Sequence, residues 1–230
     1  MSDWEARRDE ILARYSEYRR WIRDWNNEAV DLDRTLEGPD RIEEFARQLG
    51  MVEGGTMVFE SEHEMSILRD FVSFGFPKRG ERLIDVFVEN KLKDEDLPDR
   101  QRELLRNRRR DRFVIFEIQR SVQGLGVYIS DVLVGDELFI VDRNLSQTAE
   151  IGDLFAARLI SVEDWWATTG AGFPVDISVI QSVPRHLRNL YRDKGDRPEE
   201  IPPVARRRFE CTLVREARRR GLTTFIETKW

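Results

Sequence analysis

Thiols are almost missing from this sequence: Cys211 is its one cysteine. An intrachain disulfide is thereby excluded, and so is a zinc site built from several thiolates of one chain. Long apolar runs are missing too. The longest are strand-sized, far short of the roughly 18–20 residues a helical membrane span needs, so no membrane association is expected. The chain opens Met-Ser-Asp-Trp-Glu-Ala-Arg-Arg, charged from its third residue and leading to no apolar run. No secretory leader is visible, and cytoplasm is the expected location. Lysine occurs only at positions 78, 91, 93, 194 and 229. Arginine supplies the remaining cations, a bias to which we attach no function.

What is present suits a packed protein. A chain of 230 residues suffices for one large domain or two small ones. Apolar residues make up 40% and aromatics 10%, enough for an interior. Charged residues, at 36%, exceed the usual level of about a quarter, which calls for extensive helical surface or local disorder. The net charge of −6 excludes a wholly basic nucleic-acid binder but leaves room for a local basic site.

The first thirty residues predict one long helix. Ser2 and Glu5 have capping-box spacing. Ile11, Tyr15, Tyr18, Ile22, Trp25 and Ala29 then recur in steps of four and three, a stripe that can pack on the chain's own core or on a second copy. Gly38 and Pro39 break the pattern, and Pro39 can open a short helix ending near Gly50. Gly54 and Gly55 mark a turn. Ser61 and Glu64 repeat the capping-box spacing ahead of Met65, Leu68 and Val72. Further short helices are expected around residues 83–88 and after Pro98.

From Phe113 the pattern changes. Five strand-like runs, near 113–119, 125–134, 137–143, 154–162 and 173–180, are punctuated by Gly124, Gly135-Asp136 and Gly152-Asp153. Glycine followed by aspartate supplies the positive φ and local hydrogen bonding of tight turns. With no room for crossover helices, the spacing predicts a small antiparallel barrel or sandwich. Helix returns after Ser182 and again from Val204 to Arg220, with Gly221 as its stop. Residues 222–228 read as a last strand. The expected fold is therefore α+β, with a helical region over 1–110, a five-stranded antiparallel β unit over 111–181, and C-terminal helices with a terminal strand over 182–230.

A family resemblance rests on Gly80-Glu81-Arg82-Leu83-Ile84-Asp85, Phe116-Glu117-Ile118, Asp131-Val132-Leu133-Val134-Gly135-Asp136-Glu137, Leu145-Ser146-Gln147-Thr148, and Gly152-Asp153-Leu154-Phe155-Ala156-Ala157-Arg158. In this stretch, about 71–175, the chain resembles an uncharacterised bacterial domain found upstream of SEC-C zinc motifs. The cysteine-rich motif itself is absent, so the resemblance implies neither zinc nor catalytic residues.

Candidate chemistry is sparse. Glu60 and His63 have the i, i+3 spacing of carboxylate-bridged metal sites, but no second Glu-x-x-His appears. Asp40 with Glu227 and Lys229 matches the residue types of metal-dependent nucleases, across nearly the whole chain. Thr168-Thr169-Gly170-Ala171-Gly172 is glycine-rich yet leads into Phe173-Pro174-Val175, not into the helix a phosphate loop needs. Cys211 reads as a packed thiol and His186 as a surface residue. Trp165 and Trp166, as neighbours, point to opposite faces, so one can anchor the core while the other meets a partner.

The basic clusters at 106–112 and 218–220 close predicted helices, where cations complement the macrodipole. Arg206, Arg207 and Arg208 instead open one, where positive charge is disfavoured. From Arg185 onward there are 13 basic against 7 acidic residues, and before it 25 against 37. These three arginines are therefore expected to face an acidic surface, either the chain's own or a nucleic acid. The sequence reads best as a non-enzymatic interaction module for a protein or nucleic acid, with Trp165, Trp166, Arg206, Arg207 and Arg208 as its candidate contacts. No cofactor and no metal are expected. The stripe of the first helix is expected to pack on the chain's own core, with a homo-oligomer through it as the other outcome, and a metal-dependent hydrolase or nuclease is the alternative function.

Overall fold

In the computed structural model the described residues are 3–35 and 40–224. The N-terminal pattern becomes α1 (Asp3–Ala6) and α2 (Arg8–Thr35), separated by a turn at Arg7. Ile11, Tyr18, Ile22, Trp25 and Ala29 are buried in the chain's own core, with Tyr15 half-buried beside them. Next comes α3 (Arg41–Leu49), whose first turn is capped by Asp40, with Gly50 as the left-handed stop at φ 77°. A two-residue hairpin, β1 (Val52–Glu53) and β2 (Thr56–Met57), turns on Gly54 and Gly55. Then follow α4 (Glu62–Phe74), α5 (Leu83–Lys91) and α6 (Asp99–Arg109).

Ser61 caps α4 as its spacing predicted, its side chain accepting from the Glu64 amide. Glu64 reaches one residue further back than a standard capping box, accepting from the Glu60 amide at 2.8 Å. Its other oxygen is taken by Arg218 and Thr223. The Ser2 capping position and Pro39 lie outside the described residues.

Five strands close a barrel: β3 (Arg112–Val122), β4 (Gly126–Asp131), β5 (Glu137–Val141), β6 (Leu154–Val162) and β7 (Trp165–Thr168). Their order is β3-β4-β5-β7-β6, closed by β6 pairing back on β3. A one-turn helix, α7 (Leu145–Thr148), links the third strand to the fourth. This is a Greek-key order, of the small-barrel class that includes OB folds. The expected turns are there, with Gly135 at φ 91° and Gly152 at φ 93°.

Three expectations need correction. The barrel is mixed, because β5 and β7 pair in parallel at Ile140 and Trp166. Its fifth strand is β7, not the run at 173–180. That run holds only β8 (Phe173–Pro174), an edge on β6, before Asp176 caps α8 (Ile177–Ser182) by accepting from the Val179 amide at 2.7 Å. Lastly, Leu222–Thr224 is a 3-10 turn, and the remainder of the expected last strand lies outside the described residues. Between these come α9 (Arg185–Lys194), a 3-10 turn at Pro198–Glu200, and α10 (Pro203–Arg219). No helix among the described residues is long and apolar enough to cross a membrane.

The barrel strands are buried on both sides. Inside, Val114, Phe116, Ile118, Val127, Ile129, Ile140, Ala157 and Leu159 form a small core. Outside, Phe113, Ile115, Ile160 and Trp165 join the larger core with the helices. The outer face of β4 and β5 carries Tyr128 and Phe139, and Trp4 stacks on Phe139 with centroids 4.7 Å apart. Arg8 also donates to the Gln123 carbonyl in the β3–β4 turn. The strand face that OB-type barrels use for ligands is thus covered in part by this chain's own N-terminal segment.

Candidate anion-binding groove

The helix α10 starts on Pro203, whose fixed φ and missing N–H suit a first turn. Its inward stripe comprises Arg206, Phe209, Glu210, Leu213, Val214 and Ala217. Consecutive helical residues are rotated by about 100°, so the three adjacent arginines cannot share one environment. They part company completely.

Arg206 goes inward. It is 4% exposed and donates to Asp111 at 3.1 Å. Asp111, at the foot of β3, also accepts from Arg82 at 2.6 Å and from Arg158 at 2.5 Å. Arg158, on β6, binds Asp70 and Glu210 as well, at 2.9 and 2.8 Å. Tyr191 from α9 adds a hydrogen bond to Glu210 at 3.4 Å. Burial would raise the Asp111 carboxyl, but Arg158, Arg206 and Arg82 outweigh it and hold it at about 2. Burial would also lower Arg158, and Glu210, Asp70 and Asp111 push it well above its usual value instead. This is a closed internal network joining α4, the barrel and α10.

Arg207 is half-buried and donates to the Pro77 carbonyl at 2.9 Å. Arg208 is exposed, and its guanidinium makes no hydrogen bond or ion pair among the described residues. Seven residues on, Arg215 stands in the same condition. Arg207, Arg208 and Arg215 line an open groove of about 400 Å³, completed by Val204, Cys211 and Thr212 on α10. Its other wall is Gln48 from α3, with Ser182 at the end of α8 and Pro184 at the start of α9. No lining residue is acidic. Cys211 forms part of the floor, its sulfur 3.9 Å from Gln48 Oε1, and burial pushes the thiol up to about 12. Such a thiol is inert packing, as expected.

A second cavity, of about 30 Å³, lies between α2 and α6. Its arginines are already neutralised: Arg14 and Arg100 both reach Glu163, at 2.6 and 3.1 Å. The groove on α10 differs in holding two guanidinium groups with no partner among the described residues.

The other candidates divide. Trp165 is 1% exposed, packed edge-on against Tyr15 and Tyr18. Trp166 is half-buried at the barrel core, with Arg112 over its ring at 5.5 Å. The two neighbours point to opposite faces, Trp165 into the larger core and Trp166 against the barrel core with part of its surface exposed. His63 donates from Nε2 to the Gly172 carbonyl at 2.8 Å, and burial lowers its pKa. Asp40 is occupied in capping α3, while Glu227 and Lys229 lie outside the described residues. Among the described residues no group of three or more His, Cys, Asp or Glu could hold a metal. The terminal clusters were read too simply, since Arg108, Arg112 and Arg218 are buried within them. Arg215, Gln48 and Thr212 were missed altogether. The signal for two of them was the helical repeat Arg208, Thr212, Arg215.

No curated protein and no solved structure matches the chain. A family model does, over residues 9–197, which takes in the whole stretch that carried the sequence resemblance; nothing in the match links it to SEC-C motifs. The chain belongs to DUF7986, a family of unknown function.

Proposed function

We propose that the chain is a non-enzymatic interaction module that holds an anionic segment of a protein or nucleic-acid partner in the α10 groove. One observation carries this reading: three arginines border a single open groove without a carboxylate, and two of them have no partner among the described residues. In a chain of net charge −6 the buried arginines are mostly matched by carboxylates, whereas these two guanidinium forks face a groove lined by none. A guanidinium stays charged at any working pH and matches carboxylate or phosphate in bidentate fashion. Val204 and Pro184 lie in or beside the first turns of α10 and α9, whose positive dipole ends add to the same field.

The metal-dependent hydrolase reading has no comparable support, its Asp40 being engaged in a helix cap. Self-association through the first helix is likewise less favoured, because that stripe is already packed inside the chain. The test is fluorescence anisotropy with labelled polyglutamate and labelled oligo-dT, in low salt. One of the two should bind, and the Arg208→Ala/Arg215→Ala double variant should bind it about tenfold or more weakly. Unchanged affinity in a folded double variant would reject the groove as the contact.

A further inference from the structure

We infer that the segment held in the groove is an extended, acidic peptide of a protein partner, with two carboxylates three residues apart; this rests on the groove reading above. The neutral side chains of the groove decide between peptide and nucleic acid, through what they have left to offer. Gln48 donates one amide N–H to Glu44 at 2.9 Å, and its Oε1 accepts weakly from the Cys211 thiol at 3.9 Å with a lone pair left over. Thr212 donates its hydroxyl to the Arg208 carbonyl at 2.6 Å, and Ser182 donates to the Val179 carbonyl at 2.6 Å. The two hydroxyl donors are spent within the chain, so Thr212 and Ser182 offer acceptor capacity, while Gln48 keeps one N–H beside its Oε1. The groove therefore presents guanidinium donors for anions and neutral oxygens for N–H groups.

A peptide in extended form supplies both, because its backbone N–H groups are free and its side chains carry carboxylates. A phosphodiester backbone supplies anions only. Nucleic-acid sites that grip single strands add aromatic platforms for the bases, and no residue lining this groove is aromatic. Val204, 63% exposed, and Pro184 instead form an apolar end, suited to an aliphatic side chain.

Spacing follows from the helix. Arg208 and Arg215 lie on nearly the same face of α10, about 10.5 Å apart along its axis at 1.5 Å per residue. Three residues of a polyproline-II peptide span about 9.3 Å and return to the same face. Carboxylates at i and i+3 of such a segment would each meet one arginine.

The experiment uses the full chain and labelled short peptides read by anisotropy at about 50 mM salt. One peptide carries Glu-x-x-Glu with a neighbouring Val. A second has the same composition with its two Glu adjacent, a third is N-methylated on the backbone, and oligo-dT is the fourth probe. The Glu-x-x-Glu peptide should bind best, with the adjacent and N-methylated versions each weaker by about fivefold or more. The Arg208→Ala/Arg215→Ala double variant, its fold checked by circular dichroism, should weaken binding by about tenfold. Oligo-dT binding that matches or exceeds the peptide, with the same dependence on the arginines, overturns the peptide inference and leaves the groove reading standing. Equal affinity of the three peptides overturns the inference as well. Binding of no probe, or binding untouched by the double variant, overturns both.

Discussion

Arg206 and Arg208 stand two positions apart on one helix and live in different worlds. The first is 4% exposed among carboxylates from distant parts of the chain, whereas the second is exposed with none. The inner side of α10 belongs to a network in which each guanidinium meets buried carboxylates, and the outer side to a groove lined by none. A buried guanidinium without partners costs several kcal/mol, so the inner arginines are matched by Asp70, Asp111 and Glu210. An exposed guanidinium is solvated by water and needs no match. Only the second kind is available to a ligand.

The contrast breaks most easily at its centre. Arg158→Leu leaves three buried carboxylates facing one guanidinium fewer and should cost about 3–5 kcal/mol, read as a lower urea midpoint. A loss under about 1 kcal/mol would mean that the network is not what joins the barrel to α4 and α10. Arg206→Ala should cost less, about 2–3 kcal/mol, since Asp111 keeps Arg158 and Arg82.

Acid provides an independent probe of the same network. The Asp111 carboxyl is held at about 2 in the folded chain against an ordinary 3.8. A depressed carboxyl contributes stability that is complete above its unfolded pKa and is lost as pH falls through the folded one, here from about 4 to about 2. The term is ~2 kcal/mol. Asp70 acts with the opposite sign, because burial raises its carboxyl despite Arg158. Urea unfolding across this window should slope downward toward acid in the wild type, and the slope should flatten in Asp111→Asn.

The outer side should behave as the reverse. Arg207→Ala removes a single hydrogen bond to the Pro77 carbonyl and should cost about 1 kcal/mol. Arg208→Ala and Arg215→Ala should each leave stability within about 0.5 kcal/mol while weakening anion binding. A larger loss of stability in thermal melts would place these two arginines in the structural set and erase the distinction.

Much of the local structure could be read directly. The stripe of the long α2, the cap at Ser61, the stop at Gly50 and the turns at Gly135 and Gly152 all follow from patterns a few residues long. Two errors came from the same scale. The run Phe173-Pro174-Val175-Asp176-Ile177-Ser178 alternates like a strand, yet Asp176 is a good N-cap and the helix won. Strand β7 is four residues long and flanked by Glu163-Asp164 and a glycine loop, too short for periodicity to register. Its parallel pairing with β5 has no local signal at all.

What the sequence determined alone is therefore backbone periodicity, and with it the directions in which Arg206, Arg207 and Arg208 must diverge. It also set their excess of positive charge over the tail. Which direction led to carboxylates and which to open solvent was decided only by tertiary structure. Asp111 lies 95 residues from Arg206 and Gln48 163 residues from Cys211, and no helical or strand period spans such distances. An ion pair or a groove wall of this kind exists only once the chain has closed upon itself. The same residue type could then become a buried strut at one position and an exposed fork lining a groove two positions later.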